Sequence, residues 1–133
     1  MKLIIDFLRL IRFPNLIIVF FTQYAIRFGI IQPFLKQAEL DLFMSERLFF
    51  FLALATVLIA AAGYIINDYF DVKLDVINKP KQLIIGKSIK RRYAMLWHTL
   101  INMVGIALAV YVAFSINHPW LVLIQISCTG ALW

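Results

Sequence analysis

Cysteine is almost absent from this chain. Cys128 stands alone among 133 residues, so no disulfide can form within the chain, and one thiol says nothing of redox compartment. Charge is scarce as well: Lys, Arg, Asp and Glu make up 15% of the sequence, against ~25% in a typical soluble domain. Apolar residues reach 63%, against a usual ~45–50%. That balance excludes an ordinary globular domain, and the same apolar excess excludes disorder. Acidic residues are fewest among the charged groups; seven occur, and none follows Asp75. There is no Gly/Ser linker, no low-complexity tract and no internal repeat. What remains is an integral membrane protein, and the expected fold class is an all-α, polytopic transmembrane helical bundle.

Four apolar stretches carry that expectation, at about 13–31, 48–70, 93–115 and 120–133. The first three have the roughly 17–25 residues needed to cross ~30 Å of hydrocarbon. The fourth is too short and has no polar flank. The expected organisation is therefore one domain over 1–133, the N-terminal portion of a longer bundle with three complete spans and a truncated fourth. A cleaved signal peptide is the bland reading of the first stretch, but its length and the want of a small-residue cleavage site argue against it. Residues 2–12 (KLIIDFLRLIR) alternate apolar runs with Asp6, Arg9 and Arg12, the pattern of a short helix lying at the bilayer surface.

Basic residues set the orientation. The segment 71–92 holds seven of the thirteen Lys and Arg: Lys73, Lys79, Lys81, Lys87, Lys90, Arg91 and Arg92. The segment 32–47 holds only Lys36 and Arg47. Basic loops stay cytoplasmic, which puts 71–92 inside the cell inner membrane and the N-terminus, with Lys2, Arg9 and Arg12, on the same side. The net charge of +6 is then topogenic, and the partners expected are membrane lipids and no nucleic acid. Arg27, near the far end of the first stretch, is expected to snorkel to the interface.

The informative segment is NDYFDVKLD, from Asn67 to Asp75, where the second stretch meets the cytoplasm. Carboxylates this close to hydrocarbon are costly and mark a functional site by default. On a helix, Asn67, Asp71 and Asp75 step by about 40°, and Asp68 lies about 60° from Asp71. All four share one face over two turns. Like charges so placed repel unless a cation sits among them. An oxygen-only donor set favours Mg²⁺, which takes one or two carboxylates, keeps waters and binds substrate phosphates. The bland reading is a solvated helix end neutralised by the lysines that follow. Beyond it, Pro80 and Gly86 punctuate a loop whose Lys79, Lys81 and Lys87 supply cations for a diphosphate. Lys90, Arg91 and Arg92 suit contact with anionic lipid. An allylic lipid diphosphate fits this arrangement, its departing group held by Mg²⁺ and lysines. Its cationic fragment needs a dry aromatic cavity, for which Phe20, Phe21, Tyr24, Phe49, Phe50, Phe51 and Tyr64 are available.

NDYFDVKLD matches the NDxxDxxxD first aspartate-rich motif of the UbiA-type intramembrane prenyltransferases, and falls where that family has it, ending the second helix. RFPN, from Arg12 to Asn15, resembles the family's opening of helix 1, and DVINKPKQLIIGK resembles its basic loop. The resemblance implies a Mg²⁺-dependent transferase that moves an isoprenyl group from a polyprenyl diphosphate to an acceptor. That acceptor is either an aromatic quinone precursor or geranylgeranylglyceryl phosphate; the motif wording is most similar to the digeranylgeranylglyceryl phosphate synthase branch. Asn67, Asp68, Asp71 and Asp75 fall on the family's metal and diphosphate positions, with Asp68, Asp71 and Asp75 its catalytic acids and Asp71 the most sensitive. Lys79 and Lys81 take the places of two family arginines, joined by Lys87, while Arg12 and Asn15 fall to the acceptor. The departures are Lys for Arg twice and Ile for a Pro-Ser pair, which alter the loop's shape more than its charge.

Similar family members carry about nine helices, a second aspartate-rich motif and a Tyr/Lys pair between the two. Neither occurs in these 133 residues. The chain by itself is therefore expected not to turn over. The rival reading is an inactive fragment, or a non-enzymatic membrane subunit that retains the first motif. A cation channel would place its acids along a mid-membrane pore, and a CDP-alcohol phosphotransferase would carry an Asp-Gly-x-x-Ala-Arg signature that is missing here. His98 and His118, twenty residues apart, are poor candidates for metal ligands, and Gln125 and Cys128 suit helix packing.

Overall fold

The computed structural model describes residues 2–40, 44–78 and 83–131. Five helices account for most of them. Helix α1 (Lys2–Leu10) is short and amphipathic. Helix α2 (Phe13–Gln37), α3 (Glu46–Asn78) and α4 (Arg91–Ser115) are long and apolar enough to cross a membrane. A single 3₁₀ turn (Pro119–Leu121) leads into α5 (Val122–Ala131). Among the described residues the strand-like pairing is confined to one isolated bridge, Ile85 with Ile89. The all-helical membrane bundle read from composition is the fold observed.

Two helices run further than hydropathy suggests. Helix α2 does not stop at 31 but continues to Gln37 through a π-turn at Arg27–Ile31. Pro33 lies just beyond, lacks an N–H and would clash with the carbonyl four residues back, so widening the preceding turn lets the helix continue. Helix α3 runs for 33 residues to Asn78, so 71–78 is helix and not loop. At 1.5 Å per residue it is about 50 Å long, roughly 20 Å more than the hydrocarbon core needs. The aspartate motif thus stands within a continuous helix that projects out of the apolar layer.

Helices α3 and α4 form the centre of the molecule. Ala53, Ala55, Ala61, Ala62 and Gly63 on α3 and Ala94, Gly105, Ala109 and Ala113 on α4 are all buried, and these two helices make the most extensive contact in the molecule. Small residues let two backbones approach, the usual basis of helix association in lipid. Gly105 is the tightest point: a Cβ there would lie 2.9 Å from Ile59 Cγ1 and 3.2 Å from the Ala55 carbonyl. His98, buried beside it on α4, bonds through Nδ1 to the Ala62 carbonyl at 2.9 Å.

Arg27 is turned into the protein. It is 3% exposed, donates to the Met44 carbonyl at 3.0 Å and stacks 4.3 Å over the Phe49 ring. Its charge is met by a carbonyl and an aromatic face.

Candidate functional site

An apolar seam fixes the aspartate-motif end of the bundle. Leu10 and Ile11, Leu16 of α2, Ala61 and Ile65 of α3, Ile85 and Ile89, and Ala94 of α4 are buried together. Phe7 adds a T-shaped contact with Trp97 at 4.1 Å. These contacts dock α1 and the 83–90 segment against α3. In that segment the Ile84 carbonyl accepts from the N–H groups of Lys87, Ser88 and Ile89, while Gly86 donates to Ile89 at 2.7 Å. Gly86 has φ +92°, a conformation that suits glycine because it has no Cβ to clash. The turn buries Ile85 and Ile89 and leaves Lys87 outward.

Above the seam lies a polar cleft of about 710 Å³. Its walls are Lys2, Asp6, Arg9 and Arg12 from α1 and its joint with α2, Asp68 and Asp75 from α3, and Leu83, Ile84, Lys87 and Ser88. Arg12 donates to Asp68 at 3.2 Å and lies 4.9 Å over the Tyr64 ring. Its backbone sits at φ 51°, ψ 50°, a left-handed turn that swings α1 over the end of α3. Asn67 donates to Asp71 at 3.2 Å, one helical turn along. Arg91 covers the Tyr69 ring at 4.5 Å.

The residues singled out by sequence are only partly gathered here. Asp68, Asp75, Lys87 and Arg12 line the cleft. Asp71 is half-buried beside Asn67 and does not, and Asn15 is exposed on α2 and lines neither the cleft nor the neighbouring groove. Lys79 and Lys81 lie outside the described residues. Arg12, read toward the acceptor, is bonded to the first aspartate of the motif. Lys2, Asp6 and Arg9 are additions that motif reading missed. Their signal was their spacing, since positions 2, 6 and 9 fall on one helical stripe.

Among the described residues, no three His, Cys, Asp or Glu side chains converge closely enough to form a metal cage. Asp68 and Asp75 are a little under two turns apart, and each of Asp68 and Asp71 already engages one oxygen. That set does not suit a closed site. It does suit Mg²⁺, which takes a few carboxylate oxygens and completes its shell with water and phosphate. Asn67, Asp68, Asp71 and Asp75 present only oxygen acceptors and one amide on the face concerned.

On the far side of the α1–α2 joint is an apolar groove of about 330 Å³, to which Phe7, Ile11, Phe20, Phe21, Val57 and Ile101 contribute. Of the aromatic residues read as possible cavity lining, Phe20 and Phe21 are there. Tyr24, Phe49, Phe50 and Phe51 do not line it and join an aromatic cluster that includes Phe20 and reaches Tyr111. Tyr64 lies beneath Arg12.

Residues 34–133 match the model of the UbiA prenyltransferase family. The digeranylgeranylglyceryl phosphate synthase of Methanosarcina barkeri is 42% identical over 80 residues, 59% of this chain and 25% of that protein. That of Methanoregula boonei is 39% identical over 54 residues, 41% of this chain and 19% of its own length. The Sulfurisphaera tokodaii synthase is 46% identical over 52 residues, 39% of this chain and 19% of its own. The matched stretches thus span only about a fifth to a quarter of these relatives. No solved structure matches the chain significantly. Predominantly helical in its described residues, bearing an acidic helix end beside a basic turn, and matched by the family model over three quarters of its length, this chain belongs to the UbiA prenyltransferase family.

Proposed function

We propose that this chain forms the donor end of a prenyl-transfer site. It captures an allylic polyprenyl diphosphate with Mg²⁺ at the cytoplasmic face of the cell inner membrane. The observation that carries this reading is the cleft in which Asp68 and Asp75 of α3 face Arg9, Arg12 and Lys87. Acids for a metal and cations for phosphate oxygens meet there, beside an apolar groove. Asn67, Asp68, Asp71 and Asp75 would hold the metal, which when bound supplies positive charge against the diphosphate oxygens. Lys87, with Lys79 and Lys81 from the same loop, adds fixed cations to the leaving group. Arg12 orients Asp68 from across the cleft. The groove around Phe20 and Phe21 excludes water from the isoprenyl carbons.

In the reaction proposed, the allylic carbon–oxygen bond breaks and its electron pair leaves with the diphosphate. The acceptor then bonds to carbon and gives up its proton. The relatives' names favour a glyceryl phosphate lipid over an aromatic ring as acceptor. The single domain over 1–133 supplies the first acidic face, and a second set of acids from elsewhere would complete the site, since no carboxylate side chain follows Asp75.

Retention of radiolabelled geranylgeranyl diphosphate by the chain in nanodiscs tests the proposal. Retention is expected to require Mg²⁺ and to fall by at least about tenfold in Asp71→Ala, as loss of a charge-assisted ligand implies. Equal retention with EDTA, or by the variant, would exclude it.

A further inference from the structure

The contact between Arg12 and Asp68 sets two cations against each other. Arg12 donates to Asp68 Oδ1 at 3.2 Å, and a divalent ion on the acidic face needs that same carboxylate. A guanidinium and a metal ion on one carboxylate repel, so they compete for it. The contact that orients Asp68 is therefore one that an arriving ion has to displace. The pair can yield, because both side chains are partly exposed, at 46% and 25%, and exposed ion pairs are weak. The backbone around it is pinned: Leu10 and Ile11 are buried, and Phe7 meets Trp97 at 4.1 Å. What is free to move is the Arg12 side chain, with α1 staying where it is.

A displaced guanidinium needs another acceptor, and the same cleft supplies one. Asp6 lines it from α1 and is 8% exposed, with Oδ2 buried and without a hydrogen-bond donor. Lys2 and Arg9 stand four and three residues away, within pairing distance along a helix. Yet among the described residues the Arg12–Asp68 contact is the only ion pair. A buried carboxylate oxygen without a partner is costly, and beside a displaceable arginine it marks where that arginine goes. The N–H groups of Ile11 and Arg12 still bond back to Phe7 and Arg9, so helical spacing holds as far as Arg12. Asp6 then lies six residues back, about 9 Å along the axis, a gap that the two side chains can span together.

We infer that Arg12 is a two-position latch. It holds Asp68 until a divalent ion takes that carboxylate, and then passes to Asp6. The exchange pairs a buried acid that otherwise lacks a donor, and it withdraws positive charge from the ion's own ligand. Arg12 thereby sets the ion concentration at which the acidic face loads, a regulatory part and not a catalytic one. The inference rests on the proposed function, which it extends from the ligands of the ion to the residue that guards them.

The test is titration of the whole chain, in phosphatidylcholine nanodiscs, with Mn²⁺ in place of Mg²⁺, followed by the EPR signal of the free ion. Arg12→Gln is expected to bind Mn²⁺ about threefold more tightly than the wild-type chain, as release of one partly exposed ion pair implies. Lys2→Gln removes the same charge from the same wall without touching Asp68, and is expected to change the affinity much less. Asp6→Asn is expected to weaken Mn²⁺ binding by about threefold in the wild-type background, and to have no larger effect than Lys2→Gln in the Arg12→Gln background, because the two residues act as a pair. Unchanged or weaker binding by Arg12→Gln, an equal gain from Lys2→Gln, or no saturable Mn²⁺ binding by the wild-type chain overturns the latch. Equal losses from Asp6→Asn in both backgrounds would make Asp6 a ligand of the ion and overturn its part as receiver. The Arg12→Gln comparison decides the latch even where Asp6→Asn does not fold. Loss of Mg²⁺-dependent donor retention with these Mn²⁺ effects intact would refute the proposed function alone, and donor retention without an Arg12 effect would refute the latch alone.

Discussion

Arg12 combines a strained backbone with a bridging side chain. A non-glycine residue in the left-handed region costs about 1–2 kcal/mol, and Arg12 adopts it at φ 51°. Its ion pair with Asp68 is partly exposed, at 46% and 25% for the two side chains, and so contributes only about 0–1 kcal/mol. Thermal unfolding in detergent is therefore expected to rank Arg12→Gly above Arg12→Ala by about 1 kcal/mol, because glycine relieves the backbone and both lose the ion pair. Equal stabilities would show that no strain is held there. The sequence marks Arg12 through RFPN but not its partner, since 56 residues separate Arg12 from Asp68 and no local spacing encodes that approach. Arg27 teaches the same lesson in reverse. Its position near a span end suggests snorkelling, yet it is buried against Met44 and Phe49.

Among the helices, composition was sufficient for type and insufficient for length. Hydropathy reports the apolar part of α3 and falls silent after Phe70, but helix formation needs only an unbroken backbone. Between Gly63 and Pro80 there is no glycine or proline, and α3 continues to Asn78. That continuation places Asp71 and Asp75 on a rigid rod instead of a flexible loop. The α3–α4 packing that supports the rod was hidden in the sequence, because alanines and glycines of a membrane helix do not declare their partner. Gly105→Val should expose it. With a Cβ only 2.9 Å from Ile59 and 3.2 Å from the Ala55 carbonyl, the added bulk is expected to force the helices apart at a cost of about 1–3 kcal/mol. An unchanged melting temperature in detergent would contradict the packing described.

For the molecule as a whole, three features meet at one end: the acidic face proposed to hold a metal, a basic turn and a short amphipathic helix. The proposed orientation is checked with Ser88→Cys in a Cys128→Ser background. A membrane-impermeant maleimide should label inverted vesicles and spare intact cells; labelling of intact cells would reverse the topology. The acidic face was legible as a motif because four polar residues recur on one helical stripe. The α1 wall was not, because its place over α3 depends on buried contacts of Leu10, Ile11, Ile85 and Ile89. The most direct test is ¹³C NMR of the chain labelled at its aspartate carboxyl carbons, with a prenyl diphosphate bound and Mn²⁺ replacing Mg²⁺. The carboxyl resonances of Asp68, Asp71 and Asp75 should broaden strongly when Mn²⁺ and the diphosphate are both present. Resonances at these three positions that stay sharp would contradict a divalent ion held by α3 against the diphosphate.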